Sequence, residues 1–326
     1  MLTLFVLVGL GVWWAMTRAP APLAPVSKVT IALPAQINSA PVLVAERQGL
    51  FKQAGVEVSV QSHKLGKEAL KALLDGQADL AIVTDTPFIF ARQSGQDIAI
   101  LAGISQARRT LAIAGRVDRG INSVKDLVGK RIGLQMGTNF SYFLEAVLQV
   151  NGIDSSQVSL QDMKVDAAIA AIKDGSVDAA VVYQPSLTQM KEQMGEAIKL
   201  FFGEDVYAFR YVLVGKSSYI DSHPQECERV LRGLLAAKGS IQKNPAAARQ
   251  LMGEIMKFDE ALMSKVFDPT DYVLTLDQAM LLALDDETRW AMKRGFIKPG
   301  PMPNYLDAIR FKPLEAVDPS AVKIVH

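Results

Sequence analysis

From residue 28 onward, short runs of β-branched and aliphatic residues alternate with stretches whose apolar positions recur every three or four residues. Residues 28–33 (KVTIAL) read as a strand, and 41–49 (PVLVAERQG) as a helix with Val42, Ala45 and Leu50 along one face and Gly49 at its stop. Residues 55–61 (GVEVSVQ) alternate apolar and polar positions, the period of a half-buried strand. A helix over 67–74 ends at Gly76, and 79–83 (DLAIV) is the unbroken apolar run of a strand covered on both faces. Strands separated by helices imply an α/β fold with doubly wound sheets.

The same phrase then recurs. Residues 72–83 read ALLDGQADLAIV and 171–182 read AIKDGSVDAAVV: a helix, a Gly at its end, an Asp and a buried strand. Between the copies, 123–148 predict a short helix, a turn at Gly129, a strand, a Gly-Thr loop and a helix. One unit is built twice, so two lobes are expected. Further on, 224–243 form an amphipathic helical stretch that Asn244-Pro245 breaks, and 274–295 supply another helical pattern stopped by Gly295. Trp290, Met292 and the Met-rich run 252–263 read as core packing.

The first residues depart from this pattern. Residues 2–16 (LTLFVLVGLGVWWAM) carry no charge and have the length of a signal-peptide core, short of the roughly 20 residues that span a bilayer comfortably. Ala19-Pro20-Ala21 offers a small-x-small cleavage pattern, but Pro22 follows directly and no Lys or Arg precedes the apolar run. A removed signal peptide and a retained membrane anchor, with Trp13 and Trp14 at the interface, are therefore both open. Residues 19–25 form a Pro/Ala tether, and the absence of a nearby cysteine excludes a lipoprotein anchor.

Composition narrows the chemistry. At 326 residues, with 49% hydrophobic and 21% charged, the chain exceeds what one hydrophobic core organises. Lys plus Arg total 35 against 34 for Asp plus Glu, so the basic excess of a nucleic-acid binder is missing. A single cysteine, Cys227, rules out an internal disulfide framework, and three scattered histidines give no basis for a metal site. His63 and His223 read as surface or structural residues. No catalytic signature is present, and no cofactor is implied.

The candidate site lies at the joints between strands and helices. In an open α/β sheet, ligands bind beyond the strand C-termini, where helix starts present unpaired N–H groups. Asn38-Ser39 before Pro41, Thr84-Asp85-Thr86 before Pro87, Gly137-Thr138-Asn139 before Phe140, and Tyr183-Gln184 before Pro185 all place capping residues at such joints. The Thr138/Asn139 helix start suits an anion with three acceptor oxygens. Arg210, with Arg108 and Arg109, could add positive charge. Asp85 points instead to an amine-bearing ligand, unless it caps its own helix.

Three stretches, PVLVAERQGLFKQAGVEVSV, ALLDGQADLAIVTDTPFIFARQSGQDI and INSVKDLVGKRIGLQMGT, resemble signature phrases of the periplasmic binding proteins for alkanesulfonates, taurine and nitrate, whose wider superfamily includes thiamine-pyrimidine binders. The resemblance covers nearly all of the chain after residue 27, and NGIDSSQV and DGSVDAAVVYQP extend it. It implies a type II periplasmic binding protein: lobe one from 28–107 and 211–326, lobe two from 108–210, with crossovers near 105–111 and 207–212. It further implies the extracytoplasmic solute-binding component of an ABC importer, a monomer that serves permease and ATPase subunits and captures a small anion, with a sulfonate favoured by TDTPFIFARQSG. Other readings are a thiamine-pyrimidine binder, a membrane-tethered solute sensor and a pyrimidine-biosynthesis enzyme. That enzyme carries a cysteine cluster and a histidine at its active site, which this chain lacks.

Overall fold

A computed structural model describes residues 27–325. The apolar leader, its cleavage pattern and the tether lie outside the described residues. Among those described, no helix is long and apolar enough to cross a membrane.

The chain begins with β1 (Ser27–Pro34), β2 (Val56–His63), β3 (Leu80–Thr84) and β4 (Ile98–Ala107). It continues through β5 (Leu111–Arg116), β6 (Arg131–Leu134), β7 (Ser159–Asp162), β8 (Ala179–Tyr183) and β9 (Ile198–Phe201), then β10 (Phe209–Lys216) and β11 (Thr270–Thr275). One sheet has six strands in the order β11-β4-β10-β3-β1-β2, and the other has five in the order β7-β6-β8-β5-β9. The chain thus leaves the first sheet after Ala107, enters the second at Leu111, and returns between Phe201 and Phe209.

The two sheets share one plan. β1 lies between β2 and β3, parallel to both, as β6 does between β7 and β8. Next to β3 lies antiparallel β10, which arrives from the second sheet; next to β8 lies antiparallel β5, which arrives from the first. The repeated phrase explains part of this. Asp79 Oδ2 accepts from Thr30 N at 2.7 Å, and Asp178 Oδ2 accepts from Arg131 N at 2.9 Å. Each aspartate ties its strand to the parallel neighbour at the centre of the shared plan, β1 in one lobe and β6 in the other. Arg131 also holds the Asp178 carboxyl low, at about 2.

The helices are α1 (Ala40–Arg47), α2 (Leu50–Gln53), α3 (Gly66–Leu74), α4 (Asp85–Gln93), α5 (Asn139–Val150), α6 (Val165–Asp174) and α7 (Ser186–Met194). Beyond β10 come α8 (Ser217–Ser222), α9 (Pro224–Lys243), α10 (Pro245–Met256), α11 (Glu260–Phe267), α12 (Gln278–Lys293) and α13 (Phe311–Glu315). The helical pattern expected over 274–295 begins later than predicted. Thr270–Thr275 buries alternate residues and adds an antiparallel edge strand beside β4. Asp277 then starts α12, its side chain accepting from Met280 N at 2.9 Å.

The main core runs from the first sheet across the seam into the second lobe, with Phe88, Phe143 and Phe267 among its largest fully buried side chains. Met252 and Met263 are in it, as the sequence pattern predicts. Trp290 is buried at the seam: its ring meets Tyr142 of α5 edge-on at 5.4 Å, and its Nε1 donates to Glu145 Oε2 at 3.0 Å. The crossovers are bound to each other as well. Arg108 donates to Glu204 O, Arg109 pairs with the Glu204 carboxylate, and the Arg109 guanidinium lies 4.1 Å from the Phe202 ring centre.

Candidate ligand-binding site

A cavity of about 310 Å³ opens between the lobes where β1, β2 and β8 end. Gln36, Asn38, His63, Lys64, Thr110, Tyr183 and Gln184 supply its polar wall, and Ile37, Pro185, Met256, Phe258 and Val266 its apolar one. Asn38 sits in the single turn that links β1 to α1. Ser39 Oγ closes this turn on Pro34 O at 2.7 Å, and Ser105 Oγ of β4 fixes Asn38 O at 2.8 Å. With its backbone held on two sides, the Asn38 side chain is buried and its Nδ2 has no hydrogen-bond partner among the described residues. His63 Nε2, at the end of β2, is likewise buried and unpartnered. From the other lobe, Gln184 lines the cavity and its Oε1 accepts from Thr188 N and Oγ1 at 3.2 and 2.8 Å, so the amide nitrogen is the donor end of this side chain. Tyr183 is steadied edge-on by Phe140 at 5.7 Å.

A second polar cluster lies at the hinge. Thr86 Oγ1 donates to Glu287 Oε2 at 2.6 Å, and the Tyr207 hydroxyl donates to Asp85 Oδ1 at 3.2 Å. Tyr207, in the return crossover, packs edge-on against Tyr142 at 5.5 Å. Burial foremost, and the Asp85 charge after it, push the Glu287 carboxyl well above the usual range. Burial also raises Asp85, against the opposing pull of Arg210. Each carboxyl so placed opposes the ionisation of the other, and both are raised, Glu287 the more strongly.

This arrangement has a sign for stability. A carboxyl raised in the folded state contributes stability that is fully present below its unfolded value, about 4.5 for Glu287, and that is lost as pH rises through the folded value. Glu287→Gln keeps a protonated-like group at every pH. The variant is therefore expected to lose the alkaline decline and to exceed wild type at pH 8 by at least about 1 kcal/mol. Urea unfolding at pH 5 and pH 8 measures this, and equal slopes with pH in both proteins would contradict it.

The residues expected from the sequence fall into three places. Asn38, Tyr183 and Gln184 line the cavity. Thr84, Asp85, Thr86 and Arg210 lie at the hinge, where Asp85 Oδ2, Glu287 Oε1 and Arg210 Nε have no partner among the described residues. Gly137, Thr138 and Asn139 lie at the seam. Gly137 has φ +66, and a Cβ there would stand 3.3 Å from the Phe296 ring. The Thr138 hydroxyl, read as a donor to an anion, is engaged in capping: it donates to Gln135 O at 2.7 Å and accepts from Phe140 N at 3.2 Å. Asn139 Nδ2 remains buried and unpartnered, whereas the Ser39 hydroxyl is turned onto the backbone. Sequence reading missed Lys64, Thr110, Met256 and Phe258, and it missed Glu287 and Tyr207 of the hinge. His63, read as surface or structural, is on the cavity wall. Its signal was available, since it ends a strand as the other joint residues do.

Two sheets of matching plan, joined by two crossovers with a cavity at their strand ends, define the two-lobed periplasmic-binding-protein fold. The periplasmic aliphatic sulphonate binding protein of Escherichia coli superposes with a TM-score of 0.76 at 18% identity, over 84% of this chain and 94% of that one. Residues 36–248 match the model of the NMT1/THI5-like family, and the chain belongs to that family. An aliphatic sulfonates-binding protein of Bacillus subtilis (strain 168) is 26% identical over 72% of each chain. The taurine-binding periplasmic protein of Escherichia coli (strain K12) is 24% identical over 67% of this chain and 68% of its own length. The fold also reaches a desulfurization enzyme, DSZB, with a TM-score of 0.70 at 14% identity, over 89% of this chain and 98% of the enzyme.

Proposed function

We propose that this chain is the extracytoplasmic solute-binding component of an ABC-type importer, which captures a small organic anion of the sulfonate class by lobe closure and delivers it to permease and ATPase subunits. The observation that carries this reading is the inter-lobe cavity with two buried, unpartnered side-chain nitrogens, Asn38 Nδ2 and His63 Nε2. Buried nitrogens of this kind are costly unless a ligand or water supplies acceptors, and sulfonate oxygens are acceptors. The names of the relatives point the same way.

In this reading Asn38, Tyr183 and Gln184 touch the solute, and Thr84, Asp85, Thr86 and Arg210 set the hinge. Ser39, Gly137, Thr138 and Asn139 shape the strand ends and the seam. Lobe one, 28–107 with 211–326, closes on lobe two, 108–210. The protein works as a monomer in the periplasm, with residues 1–27 as its export signal or membrane tether. Catalysis is not part of the proposal. Among the described residues the one cysteine, Cys227, is buried in α9, and burial pushes its thiol up to about 12, far from a nucleophile's range.

Thermal and chemical unfolding test the reading. A solute present at a hundredfold excess over its Kd is expected to stabilise the protein by about 2.7 kcal/mol. A panel of alkanesulfonates, taurine, nitrate and thiamine-pyrimidine precursors in which no member raises the midpoint would contradict it.

A further inference from the structure

Lys257 is the one non-glycine residue with a left-handed backbone among those described, at φ +58. An L-residue is strained in this conformation, so the surrounding structure must hold it. The hold is visible. α10 ends at Met256, and the N–H groups of Lys257 and Phe258 both turn back onto Gly253 O, the latter at 3.0 Å. A Cβ at Gly253 would come within 3.1 Å of Phe258 O, so a glycine lets the turn fold this tightly. The two residues that flank the strained position, Met256 and Phe258, both line the cavity between the lobes.

The cavity wall is of mixed character: it carries the unpartnered nitrogens of Asn38 and His63 and the apolar side chains of Met256, Phe258 and Val266. Among the described residues no aspartate or glutamate lines the wall; Asp166 pairs with Lys64 at 3.6 Å, and Asp85 and Glu287 are engaged with Tyr207 and Thr86 at the hinge. An ammonium group brought into this space would lose its water without gaining a carboxylate, whereas a methyl or longer alkyl group would gain apolar contact.

We propose that the Gly253–Phe258 turn is a specificity element, which presents Met256 and Phe258 to the solute tail and selects sulfonates with an uncharged apolar tail over aminosulfonates. This rests on the solute-binding function proposed above and narrows its substrate.

Calorimetric titration of the whole protein with propane-1-sulfonate and with taurine is the test. The two ligands match in heavy atoms and differ by a terminal methyl against an ammonium. Propane-1-sulfonate is expected to bind at least about tenfold more tightly. Phe258→Ala and Met256→Ala are each expected to weaken butane-1-sulfonate about fivefold or more and to leave methanesulfonate within about twofold, since only the longer tail reaches the apolar wall. Taurine binding as well as or better than propane-1-sulfonate overturns the proposal and leaves the receptor function standing. So does an unchanged butane-1-sulfonate affinity in variants that melt like wild type. Failure of every sulfonate to bind overturns both.

Discussion

Replacing Arg210 with methionine is expected to destabilise the protein by about 3 kcal/mol at neutral pH, because it leaves buried carboxyl charge without its counter-ion. Asp85 and Glu287 are almost wholly excluded from solvent, and Arg210 is the cation whose field opposes the effect of burial on both. Methionine retains much of the packing of the stem, so the loss isolates the charge. Two companion measurements separate this cause from others. Asp85→Asn in the Arg210→Met background is expected to recover most of the loss, since the uncompensated charge is gone. The cost should also shrink as pH falls through the raised Asp85 value of the variant, which removal of Arg210 pushes further above the ordinary carboxylate range, because the protonated group needs no counter-ion. Urea unfolding of wild type, Arg210→Met, Asp85→Asn and the double variant at two pH values closes the cycle. An equal cost at both values, with no recovery in the double variant, would assign Arg210 a packing role alone.

The hinge cluster also marks the limit of what was legible in the chain. Thr86 and Glu287 meet across 201 residues of sequence. Glu287 lies in a run, DDETR, whose composition reads as a solvated helix face. Periodicity reports that a side chain is on the buried side of a helix, but not which distant group it will face, and a lone acid in a charged run gives little sign of even that. Much the same holds for Met256 and Phe258. Their spacing fits core packing, and only the left-handed turn at Lys257 directs them to the cavity.

Other features were readable because they are local. The Asp of the repeated phrase holds neighbouring parallel strands in both lobes, so the sequence repeat corresponds to a repeat of sheet plan. Helix-start residues at strand ends likewise located the cavity through Asn38, Tyr183 and Gln184. The same rule gave no means of separating a cap that is occupied, as at Thr138, from a side chain left free, as at Asn38. That distinction depends on which backbone groups the loop brings within reach. β11 escaped the sequence reading because six residues of alternating burial directly precede a longer helical pattern.

The second large effect concerns capture itself. Asn38→Ala is expected to weaken solute binding by about 1 to 3 kcal/mol, roughly fivefold to more than a hundredfold, if its amide meets the anionic head group. The stability of the ligand-free protein should change little, because Nδ2 makes no hydrogen bond to the described residues that the substitution could remove. This combination distinguishes a ligand donor from a structural residue, whose loss would appear in both quantities.

The most direct measurement of the central claim is therefore a calorimetric titration of wild type and Asn38→Ala with propane-1-sulfonate, with the two proteins first matched for thermal midpoint. A sulfonate receptor whose site is the cavity between the lobes predicts saturable one-to-one binding to wild type and an affinity lower by about fivefold or more in the variant. Equal affinities, or no binding to wild type, would contradict it.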